Sequence, residues 1–164
     1  MIKQHIQEVK KFGVEEQKID KRREILMTNL DWKFVNNNVS IEDIKNIEST
    51  LNIKLPKDYI ECVMANNAGY PDKYSFDMGG EKGKVFEYLL SISKDDDENM
   101  IDVYLRLKND LPKGVIPFAR DGFGNLICFK YMDSDTYEIV FYDHEDQKVY
   151  FISNTFSEFL SKLY

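Results

Sequence analysis

Apolar positions in the middle of the chain follow a helical spacing in two adjacent segments. Ser40 is a suitable N-cap, and an apolar stripe follows it at intervals of three or four residues. The members of this stripe are Ile41, Ile44, Ile47 and Leu51. A second helix is predicted to begin at Pro56, where a missing N–H costs nothing, and to end at Gly69.

Beyond residue 70 the pattern changes to one that is typical of strands. Residues 74–78 alternate between polar and apolar side chains, and residues 85–92 form an apolar run that we predict as a strand. After an acidic stretch, a helix is predicted around residues 101–107. Four more strands are predicted, and their short connections rich in Asp, Gly and Asn favour antiparallel hairpins. These strands are residues 115–119, 126–131, 137–142 and 148–152.

The order of helices, strands and a last helix predicts an α+β domain over residues 40–164. Thr155 and Glu158 have the spacing of a capping box for that last helix. We expect an antiparallel or mixed sheet of about six strands, with the helices packed mainly on one face. In residues 1–39, Ile2, Ile6 and Val9 lie three to four residues apart, and we predict a helical arm that packs on the domain.

The chain of 164 residues is acidic, but its acidity is uneven. Residues 1–40 hold eight Lys/Arg and six Asp/Glu, whereas residues 41–164 hold 14 Lys/Arg and 23 Asp/Glu, a balance of −9. Nucleic acids and anionic membranes attract Lys/Arg, so we expect direct binding to neither. A basic protein is the partner that this balance favours.

Cysteine usage and hydropathy predict a cytoplasmic protein. Cys62 and Cys128 lie far apart in apolar segments, as is typical of small hydrophobic residues in a reducing compartment. Residues 1–12 lack the continuous apolar core of a secretory signal. No apolar run reaches the roughly 18 residues that a membrane span requires.

Patterns for catalysis and for ligand binding are incomplete. Asp95, Asp97 and Asn99 have the spacing of the first ligands of a calcium loop, but Met100 and Arg106 occupy its glycine and glutamate positions. Neither cysteine has a histidine that the pattern places beside it, so no Cys–His nucleophile is predicted. The sequence therefore predicts no enzyme activity, no metal and no cofactor.

Acidic side chains are concentrated in residues 95–98 and 133–146, and neither segment contains Lys or Arg. Tyrosines surround the second segment, and exposed tyrosines often supply binding energy in protein interfaces. We predict a surface that binds a basic partner; the alternative is an ordinary polar rim of a sheet. The predicted residues are Asp95, Asp96, Asp97, Glu98, Asp133, Asp135, Glu138, Tyr142, Asp143, Glu145 and Asp146.

Three short motifs, in a fixed order, resemble the SUKH superfamily, a domain of yeast cell-wall regulators and bacterial toxin-immunity proteins. The first motif comprises Leu55, Pro56, Tyr59, Asn67 and Gly69. The second follows a strand at residues 116–119 and comprises Asp121, Gly124 and Asn125. The third is the helical segment 156–160. The resemblance covers about residues 40–163, and Ala68 stands where the family has a glycine.

This resemblance implies a β-sheet core with flanking helices and without catalytic residues. For bacterial members it implies neutralisation of a co-expressed toxin, often a nuclease, by covering its basic active-site surface. The acidic balance agrees with such a partner. The family also leaves a second function open, that of a regulatory scaffold that recruits several cellular proteins.

Overall fold

A computed structural model of the protein describes residues 29–164, and this range contains four helices and nine strands. The helices are α1 (Ile41–Leu51), α2 (Lys57–Asn66), α3 (Met100–Leu107) and α4 (Phe156–Ser161). The strands are β1 (Trp32–Lys33), β2 (Tyr70–Pro71), β3 (Ser75–Met78), β4 (Glu81–Val85), β5 (Tyr88–Leu89), β6 (Val115–Arg120), β7 (Leu126–Tyr131), β8 (Tyr137–Asp143) and β9 (Lys148–Ser153). The predicted α+β class is confirmed.

Three of the four helices begin with a side chain that accepts a backbone N–H group, and α2 begins instead after Pro56. At α1, the Asp43 carboxylate accepts the Ser40 N–H at 2.8 Å. At α4, the predicted cap Thr155 accepts the Glu158 N–H at 3.1 Å. Asn99 caps α3 in the same way, since its side-chain oxygen accepts an N–H of the first turn at 2.9 Å.

The strands form one five-stranded antiparallel sheet and two small hairpin-like sheets. The large sheet has the order β5-β6-β7-β8-β9, while β1 pairs with β2 and β3 pairs with β4. All these pairs are antiparallel. The sequence predicted about six strands. It did not predict β1, β2 or β4, since the predicted strand at residues 85–92 includes β5 but only the last residue of β4.

Aromatic rings fill the core between the sheet and two helices. Tyr59 of α2 is fully buried, and its ring centroid lies 5.9 Å from Phe118 and 5.1 Å from Phe129, which belong to β6 and β7. Phe156 of α4 lies 5.4 Å from the same tyrosine. Edge-to-face pairs of this kind add to the free energy of burial. Helices α2 and α4 therefore pack together on one face of the sheet.

The apolar run at residues 85–92 is not one strand. Val85 ends β4, and β5 covers two residues further on. Leu89 and Leu90 are both fully buried, and the Leu90 N–H donates to the Phe118 carbonyl at 2.9 Å. Because successive residues here are buried on both sides, the run has no alternation from which strand ends could be predicted.

The predicted N-terminal arm lies mostly outside the described residues. Its first apolar positions, Ile2, Ile6 and Val9, belong to that part. Residues 29–39, at the end of the arm, contain β1, which pairs with β2 through Trp32 and Lys33. This short piece of the arm is therefore a strand and loop rather than a helix.

Of the helices within residues 29–164, none has the length and apolar character needed to cross a membrane.

Candidate partner-binding surfaces

The β7–β8 turn presents two of the predicted acidic residues to solvent. Asp133 Oδ1 accepts the N–H of Asp135 at 3.0 Å and that of Thr136 at 2.7 Å. These backbone hydrogen bonds stabilise the ionised carboxylate and lower the pKa of Asp133 to about 2. The hydrogen bond and negative charge of Asp133 raise the pKa of Asp135. The two acids thus shape the turn as well as charging it.

The β8–β9 turn presents a second acidic set. Asp143 Oδ1 accepts the Glu145 N–H, and Asp146 Oδ1 accepts the Lys148 N–H, each at 2.9 Å. The Tyr150 hydroxyl donates to the other oxygen of Asp146. This bond lowers the pKa of Asp146 and raises that of Tyr150. Glu145 and Asp146 remain exposed to solvent.

These two turns lie at opposite ends of β8, so they do not form one continuous surface. Strand β8 covers seven residues, Tyr137–Asp143, and a strand rises about 3.3 Å per residue, which separates the turns by about 20 Å. Between them, Glu138 pairs with Lys130 of β7 at 3.6 Å. The single acidic surface predicted for residues 133–146 is therefore two separate regions.

Tyr142 does not belong to either exposed region. Its side chain is 3% exposed, because β8 is an interior strand of the sheet and this residue pairs with Leu126 of β7 and Val149 of β9. Burial raises the pKa of the Tyr142 hydroxyl. The prediction of Tyr142 as a partner-binding residue is contradicted by its position in the core.

The acidic segment 95–98 precedes α3, and two of its members make structural contacts. Asp96 Oδ2 accepts the Ser91 hydroxyl at 2.7 Å and the Asn36 side-chain amide at 2.9 Å. Glu98 forms ion pairs with Arg106 at 3.2 Å and with Arg120 at 3.1 Å. Asp95 and Asp97 are exposed. The segment is thus tied to residue 36 on one side and to β6 on the other.

The second family-like motif builds the β6–β7 turn. Asp121 is 3% exposed, and its carboxylate accepts the N–H groups of Phe123 and Asn125 at 2.8 and 2.9 Å. Asn125 Oδ1 in turn accepts the His144 N–H at 3.1 Å. Gly124 has a φ of +92° and lies against the His144 ring. These three motif residues therefore shape the turn between β6 and β7.

Two open depressions lie near the β7–β8 end of the sheet. An acidic side chain in each of them already accepts a hydrogen bond within the protein. One, of about 420 Å³, includes Glu48, which accepts the Leu55 N–H at 2.9 Å. The other, of about 300 Å³, includes Asp58, which accepts the Ser157 hydroxyl at 2.6 Å. Across residues 29–164, no three or more His, Cys, Asp and Glu side chains are grouped so as to hold a metal ion.

A row of aromatic rings that the sequence did not predict lies beside the 95–98 segment. The Phe34 ring stands edge-on to the Tyr70 ring, with 5.6 Å between the ring centroids. The centroids of the Tyr70 and Tyr88 rings lie 4.8 Å apart. The Arg120 guanidinium sits 5.7 Å from the Tyr88 ring centroid. We call Phe34, Tyr70, Tyr88 and Arg120 the aromatic ladder. Arg120 also forms an ion pair with Glu98, one of the residues that the sequence predicts to bind a partner.

The first family-like motif holds the two sides of the aromatic ladder together. The Asn67 carbonyl accepts the Asn36 N–H at 2.8 Å, and the Gly69 carbonyl accepts the Leu89 N–H at 3.0 Å. A Cβ on Gly69 would lie 2.9 Å from the Asn66 carbonyl and 3.1 Å from the Trp32 ring. Strand β1 can therefore approach this turn only because residue 69 has no side chain.

The comparison with protein families found a match. Residues 38–162 match the model of the SMI1 / KNR4 family (SUKH-1). No curated protein matches the chain. The matched range includes α1–α4 and β2–β9, and it leaves out β1 and the last two residues of the chain. This chain belongs to the SMI1 / KNR4 family (SUKH-1).

Proposed function

We propose that this protein is a non-catalytic, cytoplasmic immunity protein that binds a basic protein toxin, a nuclease, and neutralises it by covering its active-site surface. The observation that carries the proposal is the acidic excess of residues 41–164, a balance of −9, in a chain of the SMI1 / KNR4 family.

The charge supplies a physical reason for this mode of inhibition. A nuclease holds the phosphates of its substrate with Lys and Arg side chains, which release counterions when nucleic acid binds. An acidic protein is attracted to the same groove and competes with the substrate for it. The acidic protein itself repels nucleic acid, so its partner is the toxin rather than the toxin's substrate. A stable complex of this kind buries about 1,200–2,000 Å².

The environment of the potential nucleophiles supports a non-catalytic role. Cys62 and Cys128 are free thiols and both are buried. Burial raises the pKa of Cys62 to about 12 and raises that of Cys128 as well. Because the thiolate is the reactive form, these cysteines act as small apolar side chains in the core.

The test is complex formation with the product of the neighbouring gene, since immunity proteins are generally encoded beside their toxins. The tagged full-length chain is mixed with that product at low and at high salt. We expect a one-to-one complex that weakens as salt rises, blocks the nuclease and protects cells on co-expression. If the two proteins form no complex and the chain gives no protection at any salt concentration, the proposal is wrong.

A regulatory scaffold of the cell-wall-regulator type is the second candidate. The separation of the acidic turns by about 20 Å favours it, because each end of β8 can contact a different protein. This function predicts several weaker partners in unbiased capture from cells. It also predicts that neutralising one turn removes some of those partners and leaves the others.

A further inference from the structure

We propose that the aromatic ladder, together with the exposed acids of residues 95–98, is the surface that contacts the toxin. This inference rests on the proposed function and specifies the site through which it operates. The occupant is a protein that offers an apolar pocket bordered by Lys and Arg side chains.

Phe34 combines high exposure with a rare backbone conformation. Its side chain is 82% exposed, and its backbone has a φ of 56°. A bulky residue in the left-handed region is a rare conformation that costs free energy. In the free protein, the exposed ring gains little from burial to offset that cost. Strained, exposed residues of this kind are concentrated at binding sites, where a partner covers them.

The other members of the ladder contact one another or Glu98 in the free protein. Tyr70 and Tyr88 are half-buried, and their ring centroids lie 4.8 Å apart. Arg120 is held between the Tyr88 ring and Glu98. Side chains that already make such contacts lose less entropy on binding than free ones, and Tyr and Arg are enriched among residues that dominate binding energy.

The charges around the ladder select a basic partner. The segments that form and border it (31–36, 70–73, 87–88, 94–98, 106 and 120) hold seven acidic and five basic side chains, a balance of −2. Two of those basic side chains, Arg106 and Arg120, are paired with Glu98. Asp95 and Asp97 are exposed beside them. Basic groups on the toxin can pair with these two carboxylates while Phe34 enters the apolar pocket.

The first test compares two exposed phenylalanines. Phe34→Ala should raise the Kd for the neighbouring gene product about 30-fold or more, as expected for an anchor residue. Phe151→Ala is the matched control, because Phe151 is 51% exposed on β9, the opposite edge of the sheet from β5. It should change the Kd by less than about twofold. Thermal melts of both free variants verify that they fold.

The second test uses Trp32, which is the single tryptophan of the chain and lies two residues before Phe34. The full-length protein labelled with 5-fluorotryptophan gives one ¹⁹F resonance. Addition of the toxin should shift or broaden that resonance up to a one-to-one ratio. A complex that leaves the resonance unchanged would place the toxin elsewhere.

The outcomes separate this inference from the proposed function. A tight complex that tolerates Phe34→Ala overturns the ladder and leaves the immunity function standing. Absence of any complex overturns both. A dimer of the free protein that Phe34→Ala dissociates would make a second copy the occupant. Faster tryptic cleavage within residues 1–28 of the Phe34→Ala variant would make that segment the occupant. Either of these last two results overturns the proposal.

Discussion

Ala68 holds the turn after α2 in the left-handed region, with a φ of 57°. A residue with a Cβ pays a steric cost in that region, which glycine avoids. We therefore expect Ala68→Gly, which introduces the glycine expected there from the resemblance to the SUKH superfamily, to increase the free energy of unfolding by about 0.5–1 kcal/mol, after the entropy that glycine adds to the unfolded chain. Urea denaturation measures the change as a higher midpoint at an unchanged slope.

Ala65→Gly is the control for that experiment. Ala65 is exposed near the end of α2, where glycine lowers helix stability by about 1 kcal/mol or less. The two alanines lie three residues apart, so opposite signs of the two effects would assign the difference to backbone conformation. If both glycines destabilised the protein, Ala68 would not have the left-handed conformation in solution.

Single residues also mark the limit of what the sequence predicts. Asp121 and Gly124 were predicted as parts of a turn, and they form one, because turn chemistry is local. Exposure is not local. Tyr142 was predicted on the surface and is buried. Phe34 is exposed, and the sequence did not predict it as a binding residue. The burial of each depends on strands that are distant in the sequence.

The long strands of the large sheet were predicted from the sequence, whereas the bounds of very short strands were not. Strands β6 to β9 have five or more residues each and short polar connections, and they were predicted nearly at their observed bounds. Strands β1, β2 and β5 have two residues each, too few to display a period of two. Phe34 directly follows β1, Tyr70 and Tyr88 lie on β2 and β5, and Arg120 ends β6, so the aromatic ladder depends on short strands that the sequence pattern does not reveal.

The β7–β8 turn allows a prediction about pH. The hydrogen bonds from Asp135 and Thr136 lower the pKa of Asp133 to about 2, below the value of about 3.9 in an unfolded chain. Ionised Asp133 therefore favours the folded state above about pH 4, and this contribution disappears as the pH falls through about 2. NMR titration of the carboxyl carbons should place the midpoint of Asp133 near 2.

Two variants assign that low midpoint to its cause. Asp135→Asn should leave the pKa of Asp133 low, since backbone N–H groups are the largest cause of the shift. Asp133→Asn should return the pKa of Asp135 toward its ordinary value, because the group that raises it is removed. An ordinary midpoint for Asp133 in the parent protein would show that the turn does not form as described.

At the scale of the whole molecule, the acidic residues are spread rather than gathered. They occupy the 95–98 segment and the turns at both ends of β8, and many of them also accept hydrogen bonds that shape their turns. A distributed charge acts mainly through the long-range field that guides a basic partner towards the protein. Contact energy has to come from a compact group, and the aromatic ladder is such a group.

This division of roles predicts different kinetic effects for two variants. The triple variant Asp143→Asn, Glu145→Gln and Asp146→Asn keeps the acceptors of the β8–β9 turn and removes three negative charges. It should slow association with the toxin by roughly tenfold at low salt, and the difference should vanish at high salt, while dissociation stays near the parent rate.

Phe34→Ala should have the converse effect, because the ring carries no charge and acts only once the partner is in place. An increase in the dissociation rate constant should account for most of the increase in Kd, at low and at high salt alike. The association rate constant should be nearly unchanged. Stopped-flow or surface-based kinetics at two salt concentrations measures both rates. If the triple variant accelerated dissociation as much as Phe34→Ala does, the β8–β9 turn would be part of the contact. The distinction between a steering field and a contact surface would then be wrong for this protein.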